Sequence, residues 1–157
     1  MKRIYLIFIT ALSIALLLQG CSNNLQQALD AKDRGNFATA VKIWVPLAKE
    51  GNAVAQNNLA LSYWNGEGVP QDLRTAEKWY FLAAEQGHGE AQHNVANLYS
   101  LSGRKVYGHM WANLASLQGI KRSERLREQI AKKMTRSQIK KAQDLARQCV
   151  KKNYKDC

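Results

Sequence analysis

The chain repeats itself, and that constrains its fold more than any local preference. Residues 39–63 set over residues 75–99, a shift of 36, coincide at ten of twenty-five positions without a gap. The matches are Thr39/Thr75, Ala40/Ala76, Lys42/Lys78, Ala48/Ala84, Gly51/Gly87, Ala55/Ala91, Gln56/Gln92, Asn58/Asn94, Ala60/Ala96 and Tyr63/Tyr99. The second half recurs 32 residues later, with Trp79 to Gly87 lying over Trp111 to Gly119 and the four missing residues lost from the loop before it. A period in this range marks a unit of supersecondary structure that buries its apolar face only by stacking on its neighbours. Inside the unit the apolar spacing is helical. Ala55, Leu59 and Tyr63 stand at i, i+4 and i+8, while Ala76, Trp79, Tyr80, Ala83 and Ala84 stand at i, i+3, i+4, i+7 and i+8. The stretch from Asn65 to Asp72, with two Gly and a Pro, reads as a turn. Asp72 can cap the second helix, and Gly87 stands where a helix end favours a left-handed residue. β-Branched residues are sparse and the chain has only two prolines, Pro46 and Pro70. The expected fold is all-α: a short α-solenoid of antiparallel helix pairs.

The pattern Leu59-Ala60-x-x-Tyr63-x-x-Gly66-x-Gly68-Val69-x-x-Asp72, followed by Ala76-x-x-Trp79-Tyr80-x-x-Ala83-Ala84-x-x-Gly87, resembles the Sel1-like repeat, a relative of the tetratricopeptide repeat. Ala60 stands where that family usually has Gly. The next unit keeps Ala91, Tyr99 and Gly103 but lacks the Gly-x-Gly-Val-x-x-Asp loop. The first unit is degenerate, with a helix over 24–33, a turn at Gly35 and Asn36, and a helix over 37–49. The resemblance implies a repeat array within residues 21–120 that serves as an adaptor for a protein partner.

Residues 121–157 read as a helical cap. Lys121 to Lys133 carries Leu126 and Ile130 inward. Thr135 and Gln138 form a capping-box pattern, and Ile139, Ala142, Leu145, Ala146, Cys149 and Val150 follow at helical spacing. The segment holds thirteen Lys or Arg against four Asp or Glu, whereas residues 21–120 balance at eight of each. Two readings of this surplus stand: a solvated helix face that favours solubility, or a basic surface for lipid headgroups or wall polymer.

Residues 1–20 read as an export signal. Lys2 and Arg3 precede an uncharged apolar run from Ile4 to Leu18, short of the ~20 residues that span ~30 Å of hydrocarbon. Leu18-Gln19-Gly20-Cys21 resembles the bacterial lipobox. The resemblance implies cleavage after Gly20, lipidation of Cys21 and a membrane anchor. With Ser22 in second place it implies the outer membrane, facing the periplasm. Export also leaves nucleic acid a poor partner. Outside the cytoplasm the two other cysteines, Cys149 and Cys157, are expected to pair; the other reading makes Cys149 a small apolar core residue.

Catalytic patterns are weak. His88 and His93 lie five apart, which misses the i, i+4 spacing of a helical metal pair. Ser-x-x-Lys occurs at Ser102/Lys105 and Ser137/Lys140, and some relatives of Sel1-like proteins resemble penicillin-binding or β-lactamase enzymes, but no Lys-Thr-Gly partner is present. No catalytic residue, metal, cofactor or small-molecule substrate is expected. A binding surface is expected on the helix faces turned from the core, at Asn57, Leu61 and Trp64 in one unit and His93 and Asn97 in the next. Trp64 has two readings, exposed anchor or packed residue.

Overall fold

The structure, a computed structural model, describes residues 23–157; the signal segment and Cys21 lie outside the described residues. Its helices are α1 (23–33), α2 (Phe37–Lys49), α3 (Ala53–Asn65), α4 (Leu73–Ala84), α5 (Gly89–Leu101), α6 (Lys105–Leu117), α7 (Lys121–Ala131) and α8 (Arg136–Lys151). No strand occurs among the described residues, and no helix among them is long and apolar enough to cross a membrane.

Polar side chains start most of these helices. Asn36, Asn52, Asp72, His88 and Thr135 each accept a backbone N–H from the first turn, and Thr135 with Gln138 completes the capping box. Each such cap contributes about 1 kcal/mol. From α2 to α7 each helix packs on the next, and α8 returns to lie on α6. One layer holds the odd-numbered helices. Lys32 on α1 donates to Asn58 on α3, Asn94 on α5 donates to Asn57 on α3, and His93 on α5 meets Ser123 on α7. The even-numbered helices form the outer layer.

Alanine makes the stacking possible. Ala40, Ala48, Ala55, Ala60, Ala76, Ala83, Ala84, Ala91, Ala96 and Ala112 are fully or almost fully buried. Small side chains there let the backbones approach, while Trp44, Leu59, Met110, Trp111 and Leu114 fill the spaces between. The repeat also carries a paired polar bond. Gln56 Nε2 donates to the Ala48 carbonyl at 3.0 Å, and 36 residues on Gln92 Nε2 donates to the Ala84 carbonyl at 3.3 Å. Both amides are buried, and each adds a second hydrogen bond to a carbonyl at the end of the preceding helix, which also accepts a backbone N–H, from Gly51 at Ala48 and from Gly87 at Ala84. That accounts physically for one of the ten sequence coincidences, Gln56/Gln92.

Where the third unit, from Gly89 onward, has lost its loop, a stack replaces it. The Arg104 guanidinium lies 4.3 Å over the Tyr99 ring, and Tyr99 stacks on Tyr107 at 5.4 Å.

The cap departs from the sequence reading in three places. α7 stops at Ala131 rather than Lys133. Ser123, not expected inward, is fully buried, whereas Leu126 packs half-buried on the core and Ile130 is buried, as expected. Val150, on the expected apolar stripe, is 44% exposed, because α8 is the last helix of the stack and its far edge has no neighbour. Beyond α8 the chain hooks back, with Asn153, Tyr154 and Asp156 in the left-handed region. Cys149 and Cys157 are joined by a disulfide that closes this hook, and the Tyr154 ring lies against Gly87.

Gly68 shows how tightly the intact loop is held. It has φ +75°, and a Cβ there would lie 2.6 Å from the backbone carbonyl of Phe37 at the start of α2. Gly35 has a similar φ, +74°, with open space around it. Gly35→Ala is therefore expected to lose only the ~1–2 kcal/mol of left-handed strain. Gly68→Ala must also displace backbone and is expected to lose roughly twice that, lowering the melting temperature by about 5–10 °C. Thermal melts followed by circular dichroism compare the two.

Candidate functional site

The inner layer carries two depressions that share a wall. The first, about 350 Å³, is lined by Leu61, Trp64, Tyr80, Asn94, Leu98 and Leu101, with Asn65 and Asn97 at its edge. It is mostly apolar, and Leu101 at its rim is 77% exposed. Trp64 is half-buried and packs on the core through part of its ring. The second depression, about 620 Å³, is lined equally by polar and apolar surface and includes Lys32, Asn57, Asn58, His93, Asn94 and Arg122. Leu61 and Asn94 belong to both, so the two form one continuous groove across α3 and α5.

Helix geometry explains the composition. Positions 57, 61 and 64 lie on the face of α3 opposite Ala55 and Leu59, and of the three Trp64 still packs partly on the core. Their side chains therefore line the open face of the inner layer. Asn94 Nδ2 donates to Asn57 Oδ1 at 3.1 Å, which engages one end of each amide.

Four of the five residues expected on the binding face, Asn57, Leu61, Trp64 and Asn97, line this groove. His93 also borders it but is only 8% exposed and is held on both sides. Asn97 Nδ2 donates to its Nε2 at 2.9 Å, so the neutral ring carries its proton on Nδ1, which donates to Ser123 Oγ at 2.8 Å. His93 is thus a joint between α5 and α7, not a free contact residue, because the buried Ser123 brings α7 over it. Sequence reasoning missed Lys32, Asn94, Leu98, Leu101 and Arg122. Asn94 had a signal, its coincidence with Asn58; the two cations had none.

The catalytic patterns are dispersed. Ser102 Oγ donates to the Tyr99 carbonyl, while Lys105 Nζ donates to the Lys133 carbonyl. His88 caps α5. Among the described residues no three His, Cys, Asp or Glu side chains gather in a way that could hold a metal ion.

All three histidines are held below their ordinary pKa of 6.5, chiefly by burial. Arg122 adds to this at His93 and Arg127 at His109, while Glu90 opposes it at His88 and His93. Among the described residues His109 Nδ1 has no hydrogen-bond partner. A folded-state pKa below 6.5 means that the unfolded chain binds the proton more readily. This stability is present above pH 6.5 and is lost as pH falls through 6.5 toward the lowered values. Melting temperature is expected to fall between pH 7.5 and pH 5, and His93→Gln to flatten part of that slope.

Comparison with known proteins agrees with this architecture. Residues 53–88, which span α3, the loop and α4, match the family model described as Sel1 repeat. Over 52 residues, 33% of this chain, the sequence is 38% identical to a sel1-like repeat-containing protein of Acanthamoeba polyphaga mimivirus. A protective antigen present in uropathogenic Escherichia coli strains, displaying an SLR fold, superposes with a TM-score of 0.77 over 85% of this chain at 23% identity, a likeness of fold. The chain spans 10% of the mimivirus protein and 31% of the antigen. The family match covers one Sel1 repeat unit, residues 53–88, within a short helical solenoid.

Proposed function

We propose that this protein is a membrane-anchored, periplasmic adaptor that binds a protein partner along the groove of its inner layer. One observation carries the reading. An apolar pocket holding a half-buried Trp64 opens beside a cleft of mixed polarity that carries charged side chains, on the open face of the inner layer. Solenoids bind along such faces, and a tryptophan rigid on one side and open on the other makes a strong anchor. The Sel1 repeat supports the assignment to protein binding. The lipobox resemblance at Leu18 to Cys21 supports the anchor and the outer-membrane location. The dispersal of Ser102 from Lys105 disfavours an acyl-transferring enzyme.

A second reading is favoured by a separate patch. Leu117, 72% exposed, and Val150 lie beside Arg147 and Lys151 between α6 and α8. An apolar patch with a basic rim suits anionic headgroups or wall polymer, where each cation contributes ~1 kcal/mol near a charged surface.

Photo-crosslinking in cells separates the two, with the probe at Trp64 in one strain and at Arg147 in another. The adaptor reading expects a discrete protein adduct from position 64; lipid or wall adducts from position 147 alone would replace it with the second reading. Trp64→Ala is expected to lower stability by about 2 kcal/mol, below the ~3–5 kcal/mol of a fully buried aromatic. For the anchor, Cys21→Ser is expected to move the protein from the membrane fraction to the soluble one. If the variant sediments unchanged, Cys21 is not lipidated.

A further inference from the structure

The second depression carries an unbalanced charge, drawn from helices far apart in the chain. Lys32, on the last turn of α1, and Arg122, on the first turn of α7, line the same depression although ninety residues separate them. The Lys32 ammonium donates to a neutral partner, Asn58 Oδ1, at 3.2 Å. Arg122 pairs with Glu90. His88 and His93 face the same cleft, and burial favours their neutral forms. The cleft therefore holds two cations against one carboxylate. Asn57 and Asn94 supply side-chain amides, whose paired donor and acceptor match those of a peptide group.

We infer that the groove selects an extended partner segment by two features: an Asp or Glu side chain seated between Lys32 and Arg122, and an aliphatic or aromatic side chain in the Trp64 pocket. The inference rests on the adaptor reading and names the chemistry of its partner. The depressions share Leu61 and Asn94, so the two features lie close in sequence. At ~3.3 Å per residue of extended chain, a separation of roughly two to four residues fits. Glu90 acts as the internal competitor: it holds the Arg122 guanidinium until an incoming carboxylate shares it. Opposite charge across the groove also rejects basic segments, which the balance of cations in the cleft repels.

The test uses the full chain without its signal segment and a library of ten-residue peptides, random at every position and amidated at the C-terminus. Selected peptides are expected to carry Asp or Glu two to four residues from Leu, Ile, Phe or Trp. Against one such peptide, Lys32→Gln with Arg122→Gln is expected to weaken binding about tenfold, as the loss of two charge-assisted contacts requires. Glu90→Gln is expected to tighten it about threefold, and Arg147→Gln, outside the groove, to leave it unchanged. Melting temperatures verify that each variant is folded. Apolar selection with no acidic preference, or affinity indifferent to Lys32→Gln with Arg122→Gln, overturns the inference and leaves the adaptor reading standing. Binding seen only in a parallel library with free C-termini overturns it in favour of a terminal carboxylate. No selected peptide, with binding to phosphatidylglycerol vesicles that Arg147→Gln weakens, overturns both.

Discussion

Everything in this molecule depends on how closely two helices can approach when alanine lies between them. A unit of two short helices has no core of its own. It becomes stable only when its neighbours press against both sides, and the seams at Ala55, Ala60, Ala91 and Ala96 set that distance. Larger side chains on those seams would push the layers apart and strip Trp44, Trp111 and Leu114 of their contacts. The buried amides Gln56 and Gln92 work at the same spacing. Each reaches the last turn of the preceding helix only because the backbones are close.

The division of labour between the layers follows. The outer helices and the seams use the alanines and large apolar residues. The inner helices turn one face to the seam and leave the other to the groove, where Asn57, Asn58, Asn94 and Asn97 accumulate. Short amides suit this position. They bond to one another and to helix carbonyls, as Asn58 does to Val54, without filling the groove.

The fold was largely legible because its signals are local and repeated. Ten coincidences at a shift of 36 gave the unit, the Gly66 to Asp72 pattern gave the turn between its helices, and Thr135 with Gln138 gave the start of the last helix. The groove was legible only by halves. Helical phase placed Asn57, Leu61, Trp64 and Asn97 on one face, since phase depends on spacing alone. It could not decide how deeply Trp64 sits, because that depends on Tyr80 and Leu98 from other helices. Nor could it foresee that Ser123 buries His93, or that Lys32 and Arg122 share a cleft. Those facts arise from the crossing angles of successive helices, and no residue's local neighbourhood encodes a sum of angles.

That sum has a mechanical meaning. Lys32 on α1 and Arg122 on α7 belong to the first and last helices of the inner layer, so the span between them is a gauge of how that layer stacks. Helices α3 and α5 lie between them like the coils of a short spring. A change of packing at Met110 or Trp111, far from the groove, would tilt α6, carry α7 with it and alter the gap between the cations. The joint of His93 with Ser123 is the clasp that holds the spring at its present length.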